Sequence, residues 1–227
     1  MPNFWHFGDS FAFNNFKNLE KQENNFGSFI AKKLNLNYNF EAVTGSSNEL
    51  IFSKILTMMN HYEKNDILFI NWSFFSRSCY CDGLKIKSTN QWYDDNNQKL
   101  NNYDLTTETL DFFKNHSLVM DYVLDYNFDV SHKLFSLYIE PFLRNLEESG
   151  IRIYNLFLKE YDVLKYNGIE VNDYSIPLKK IKFNQNYYDW LIEKKWMTDE
   201  EGHYKKGIQK QLADEIMLRM NLEKENI

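Results

Sequence analysis

The run "DILFINW", residues 66–72, is apolar at almost every position after its aspartate. A strand with one wet face would alternate apolar and polar side chains. An unbroken apolar run of this length marks a strand buried on both faces, as in a parallel sheet covered by helices. The flanking sequence supports the same reading. "NFWHF" (3–7) reads as a short aromatic strand. Phe26, Phe29, Ile30 and Leu34 recur at helical spacing, which predicts a core-facing helix over 26–35. "YNFEAV" (38–43) alternates like a strand. "TGSSNEL" (44–50) then turns into a helix with Ile51, Ile55, Met58 and Met59 on one face, and Ser46, Ser47 and Asn48 are candidate caps at its start.

Beyond the central run, residues 73–105 are polar, rich in Tyr, Trp and Asn, and weakly periodic. They read as a long excursion over one end of the sheet. Residues 106–149 read as mostly helical, with Pro141 starting or kinking the last piece and Gly150 ending it. "IRIYNLFL" (151–158) is a further strand, 159–183 is irregular and 185–196 is helical. A final helix over 205–221 carries Ile208, Leu212, Ile216 and Met220 on one side. Strands alternating with helices predict an α/β fold: a three-layer α/β/α sandwich with a mostly parallel sheet, formed as a single domain over 1–227.

The chain has 227 residues, 43% of them hydrophobic and 17% aromatic, enough to bury such a core. A net charge of -6 and no basic stripe predict no nucleic-acid partner, and "LKKIK" (178–182) reads as a solvated face. Cys79 and Cys81, one residue apart, are poorly spaced for a disulfide, and no Cys/His cluster has zinc spacing. Free thiols in a reducing compartment are expected, with no metal. No long apolar span occurs, and no basic stretch precedes an apolar one at the N-terminus. The expectation is therefore no membrane span, no signal peptide, and a cytoplasmic or virion-associated protein.

Functional sites in such sheets lie beyond the carboxyl ends of the strands. Those ends fall near Gly8, Thr44 and Asn71, so Ser10, Gly45 and the Asn71–Ser73 turn should converge. In "FGDSF" the glycine permits a tight turn, and Ser10 is either part of a strand-ending turn or a presented nucleophile. A nucleophilic serine needs a base, usually a histidine oriented by a carboxylate. His6 lies within the first strand and reads as packed there. His61 ends a helix and reads as a cap. His116 and His132 have no companion pattern. His203 follows Asp199, Glu200 and Glu201 just before the last helix. A carboxylate three residues upstream can hold one tautomer of a histidine; an acidic capping segment with an exposed histidine fits equally well.

Taken together, "FGDSF", "TGSSNELI" and the carboxylate–His segment before a C-terminal helix resemble the SGNH hydrolases, or GDSL esterases, from residue 8 to residue 203. The resemblance implies a flavodoxin-like sandwich that hydrolyses esters by a Ser-His-acid mechanism without a cofactor. It implies Ser10 as nucleophile, His203 as base, and the N–H groups of Ser10 and Gly45 in an oxyanion hole. The chain departs from the family pattern twice. Glu200 stands where the family has aspartate, so Glu200 and Asp199 are both candidates for the acid. The third block, usually Gly-x-Asn-Asp, here reads "INWSFFSR", so the side-chain oxyanion donor is Asn71, Ser73 or absent. The expected substrate is a small-molecule or glycan ester, such as a carbohydrate O-acetyl ester met by a phage particle. The competing expectation is a weak or inactive SGNH-fold binding or structural protein of such a particle. Its working surface would be the excursion, with Tyr80, Trp92 and Tyr93 stacking on sugars. Oligomeric state is not legible.

Overall fold

The computed structural model describes residues 1–12, 24–43, 46–73, 78–82, 85–89, 135–158, 163–166, 169–172, 181–183, 185–197, 204–205 and 207–220. Its strands are β1 (Asn3–Gly8), β2 (Asn37–Phe40), β3 (Ile67–Trp72), β4 (Ser78–Asp82), β5 (Lys85–Thr89), β6 (Arg152–Phe157), β7 (Val163–Tyr166) and β8 (Ile169–Asn172). Its α-helices are α1 (Phe26–Lys33), α2 (Asn48–Thr57), α3 (Glu140–Glu148), α4 (Tyr187–Glu193) and α5 (Gln209–Met220). Four strands form a parallel sheet in the order β2-β1-β3-β6.

The central run is buried at every position of β3, and its side chains alternate between two cores. Ile67 and Phe69 pack with Phe26 and Ile30 of α1, Leu191 of α4, and Leu212 and Ile216 of α5. Leu68, Ile70 and Trp72 pack with Ile51 and Ile55 of α2 and Leu143 of α3. Helices thus cover both faces, giving a three-layer α/β/α sandwich. Of the candidate caps on α2, Ser47 is the N-cap, its hydroxyl accepting from the Leu50 N–H at 3.4 Å. Pro141 lies in the first turn of α3, and Gly150 ends the helix at a φ of +88° that suits glycine.

The structure differs from the sequence reading in two places. An antiparallel hairpin, β4–β5, lies within the excursion 73–105, and another, β7–β8, lies within 159–183. Each strand has only four or five residues and pairs with its immediate neighbour. So short a segment leaves almost no periodicity to read.

A buried carboxylate fixes the amino edge of the sheet. Asp66 accepts from the Asn3 backbone N–H (2.7 Å), the Trp5 indole N–H (2.9 Å) and the Glu63 backbone N–H (3.1 Å). These bonds hold the starts of β1 and β3 level with each other.

His6 is fully buried in β1, ringed by Phe4, Phe26, Phe40 and Phe69. The Tyr38 hydroxyl donates to Asn25 Oδ1 at 2.7 Å, and that oxygen also accepts the Ser28 N–H at 2.8 Å as the cap of α1. His6 Nδ1, 3.0 Å from the Tyr38 oxygen, must therefore donate to it. Nε2 has no partner. A second proton would sit on Nε2 in an apolar pocket, and burial accordingly lowers the pKa to about 3. The unfolded chain binds this proton below its ordinary value of 6.5 and the folded chain does not. The contribution is thus complete above that pH and is lost as pH falls towards 3. Its slope is roughly 1.4 kcal/mol per pH unit. Urea unfolding between pH 7 and pH 4 should show this extra slope in the wild type relative to His6→Gln. Parallel curves would show that His6 protonates in place.

Candidate functional site

Three chain segments meet at the carboxyl edge of the sheet. β1 ends at Gly8, opposite Asn71 of β3. A Cβ on Gly8 would lie 2.9 Å from Asn71 Cβ, 3.1 Å from Asn71 O and 3.1 Å from Ala12 Cβ. Two of those neighbours are a strand carbonyl and the Cβ of a folded-back turn, so only glycine fits. The chain then enters a 3-10 turn, Ser10–Ala12. Asp9 builds that turn: its carbonyl accepts the Ala12 N–H at 3.0 Å, and its Oδ1 accepts the Phe11 N–H at 3.0 Å. This is an Asx turn wrapped around Ser10.

The other carboxylate oxygen, Asp9 Oδ2, accepts the Ser73 hydroxyl at 2.8 Å. Ser73 follows directly after β3, and its backbone N–H donates to Asn48 Oδ1 at 2.8 Å. Asn48 is the first residue of α2. One hydrogen-bonded chain, Phe11–Asp9–Ser73–Asn48, therefore joins the ends of β1 and β3 to the start of α2. Asp9, Asn48, Asn71 and Ser73 are all fully buried. The junction lies between β1 and β3, where the strand order reverses: the chain runs from β1 to β2 on one side and then crosses back to β3 on the other. Doubly wound sheets open their binding crevices at such a switch point.

Ser10 opens the 3-10 turn at the end of β1, where the sequence places it. Ser73 is close to that turn, and its hydroxyl donates to Asp9 Oδ2. Asn71 is fully buried beside Gly8, and among the described residues neither its Oδ1 nor its Nδ2 has a hydrogen-bond partner. Gly45, Asp199, Glu200 and His203 lie outside the described residues, as do His116, His132, Trp92 and Tyr93. His6 is in the core, and His61 is exposed at the end of a 3-10 turn, Met59–His61.

Tyr204, the residue after His203, is described and buried. Its ring meets Phe11, the residue after Ser10, edge-on at 5.9 Å and 90°. It also meets Phe26 edge-on at 6.3 Å. Tyr204 forms an antiparallel bridge with Met197, and the Lys205 N–H donates to the Trp196 carbonyl at 2.8 Å. Trp196–Met197 and Tyr204–Lys205 are thus paired through their backbones. The pKa of the Tyr204 phenol is raised by burial first, then by Tyr187 and by the charge on Asp9. Glu49, next to Asn48, also has a raised pKa, chiefly from burial against the opposing effects of bonds from Ser47 and its own backbone.

Asp9 and Asn48 are the contributors that sequence reasoning missed. Asp9 was legible as a turn former, and Asn48 as one of three candidate caps. Their bonds to Ser73 join residues 64 and 25 positions apart, and no local pattern carries that. Among the described residues, no group of three or more His, Cys, Asp or Glu is placed to hold a metal ion, and no helix is long and apolar enough to cross a membrane.

The sequence matches no protein-family model and no curated protein. Among solved structures it is similar to a carbohydrate esterase whose active site is described as displaying divergent catalytic and non-catalytic binding functions. The identity is 12%, the match covers 99% of this chain and 69% of that one, and the TM-score is 0.37. That overlap is too low to argue from, so the function rests on the site's own geometry.

Proposed function

We propose that this chain is a serine esterase of the SGNH type, working at the carboxyl edge of its sheet. The observation that carries the proposal is the buried chain Phe11–Asp9–Ser73–Asn48, which ties three separated segments around the Ser10 turn at the switch point. A turn that merely ends a strand does not require a buried carboxylate that also anchors a neighbouring strand end and, through it, a helix start.

In this reading the Ser10 hydroxyl attacks the ester carbonyl and His203 takes its proton, with Glu200 or Asp199 holding the imidazole tautomer. The N–H groups of Ser10 and Gly45 receive the oxyanion. The alcohol leaves with the proton from His203, and a water activated by His203 then releases the acyl group. Asn71 is the side-chain donor to the oxyanion. Its amide is buried without a partner among the described residues, a state that costs about 1–3 kcal/mol unless something else is met there. The bond from the Ser73 hydroxyl to Asp9 favours Asn71 over Ser73 in that role. The substrate class is a short acyl ester, with a carbohydrate O-acetyl ester as the specific proposal.

A short acetyl ester tests this, with turnover and KM read separately. Asn71→Ala should lower kcat by roughly 10²–10³ and change KM little, because an oxyanion donor acts on charge present only in the transition state. Ser73→Ala should instead lower stability by about 1–3 kcal/mol, since Asp9 Oδ2 loses a buried donor. A kcat loss in Ser73→Ala alone would reverse the assignment. A wild type that turns over no acetyl ester would remove the proposed substrate class.

A further inference from the structure

Two buried hydroxyls near the Ser10 turn have no part in the chemistry above. Tyr187 and Tyr204 are 2% and 7% exposed, and their oxygens are 2.8 Å apart. Tyr187 begins α4, which is tied to the carboxyl end of the sheet by the Tyr188 N–H donating to the Leu158 carbonyl at 2.9 Å. The Tyr187 ring is itself held by Phe183 at 4.9 Å and by Trp190, stacked at 6.1 Å. Phe11, fully buried, lies edge-on to both Tyr188 (6.0 Å) and Tyr204 (5.9 Å). The residue after Ser10 is therefore gripped by α4 on one side and by the segment entering α5 on the other. The hydroxyl pair ties those two jaws together.

We propose that the Tyr187–Tyr204 hydroxyl pair is a positioning device that fixes the residue following His203 against the residue following Ser10. In the esterase reading, turnover depends on that register. This inference rests on the esterase reading. The ring contacts alone would leave the segment free to slide along an apolar surface, because edge contacts have little directional preference over small displacements. A hydrogen bond between two phenols gives the segment a single register. Buried hydroxyls must be paired, so the register is enforced by the desolvation of both groups.

Phenylalanine at either position keeps the ring and removes only the bond, and the double variant separates structure from positioning. Tyr187→Phe and Tyr204→Phe each strand one buried hydroxyl and should lower the thermal midpoint. The double variant strands none and should recover most of that loss. Activity should not recover with it. All three variants, assayed on the acetyl ester well below their midpoints, should show kcat reduced roughly tenfold with KM within about twofold of wild type. If a single variant fails to fold, the double variant carries the comparison. Wild-type kcat in the double variant, or in folded single variants, would overturn the proposal and make the pair a packing feature. A wild type whose turnover survives Ser10→Ala would instead overturn the esterase reading itself, and the positioning role with it.

Discussion

Ser10→Ala is expected to lower acetyl-ester turnover by about 10⁴–10⁶, leaving only what oxyanion donors and substrate binding supply. The same variant should keep its thermal midpoint. The turn around residue 10 is held by Asp9, whose carbonyl and Oδ1 accept the Ala12 and Phe11 N–H groups. Alanine at position 10 leaves both bonds in place, and Gly8 still allows the turn to fold back on Asn71. A large kinetic loss without a stability loss is the signature of a side chain that acts in the reaction and not in the fold. Enzyme kinetics and calorimetry on one preparation give both numbers. Retained turnover would mean that another residue attacks the ester.

Gly27→Ala should destabilise the protein by at least about 3 kcal/mol, at the upper end of overpacking effects. Position 27 lies in the first turn of α1, and helix propensity alone would favour alanine by up to about 1 kcal/mol. Sterics decide the sign. A Cβ there would lie 2.2 Å from His6 Nδ1, 2.9 Å from Cε1 and 3.0 Å from Cγ. The imidazole cannot retreat, since Phe4, Phe26, Phe40 and Phe69 surround it and Tyr38 holds its Nδ1. The helix would have to lift off the sheet instead. In a His6→Ala background the same substitution should become neutral or favourable, and a urea double-mutant cycle reads that difference. A stabilising Gly27→Ala in the wild-type background would refute the wedge.

The layered architecture was legible because burial on two faces is written in composition. "DILFINW" contains no polar alternation, and every residue of β3 is buried. His6 was readable as a core residue for the same reason. The hairpins β4–β5 and β7–β8 were not legible: strands of four or five residues paired to their neighbours leave no long pattern. Asp66 read only as the start of a strand, because its partners Asn3 and Trp5 lie more than sixty positions away. At the candidate site, strand ends predicted that Ser10, Gly45 and the Asn71–Ser73 turn would converge; β1 ends at Gly8 beside Asn71, and Gly45 lies outside the described residues. That Ser73 bonds to Asp9 was not readable, because the contact is made across two strands.

The central claim is that Ser10 is an activated nucleophile, and covalent trapping tests it most directly. The protein is treated with a fluorophosphonate, its intact mass is measured, and the modified peptide is sequenced by fragmentation. The account predicts one phosphonyl adduct per chain, on Ser10, absent from the Ser10→Ala variant. No adduct, or an adduct on a different serine, would contradict it.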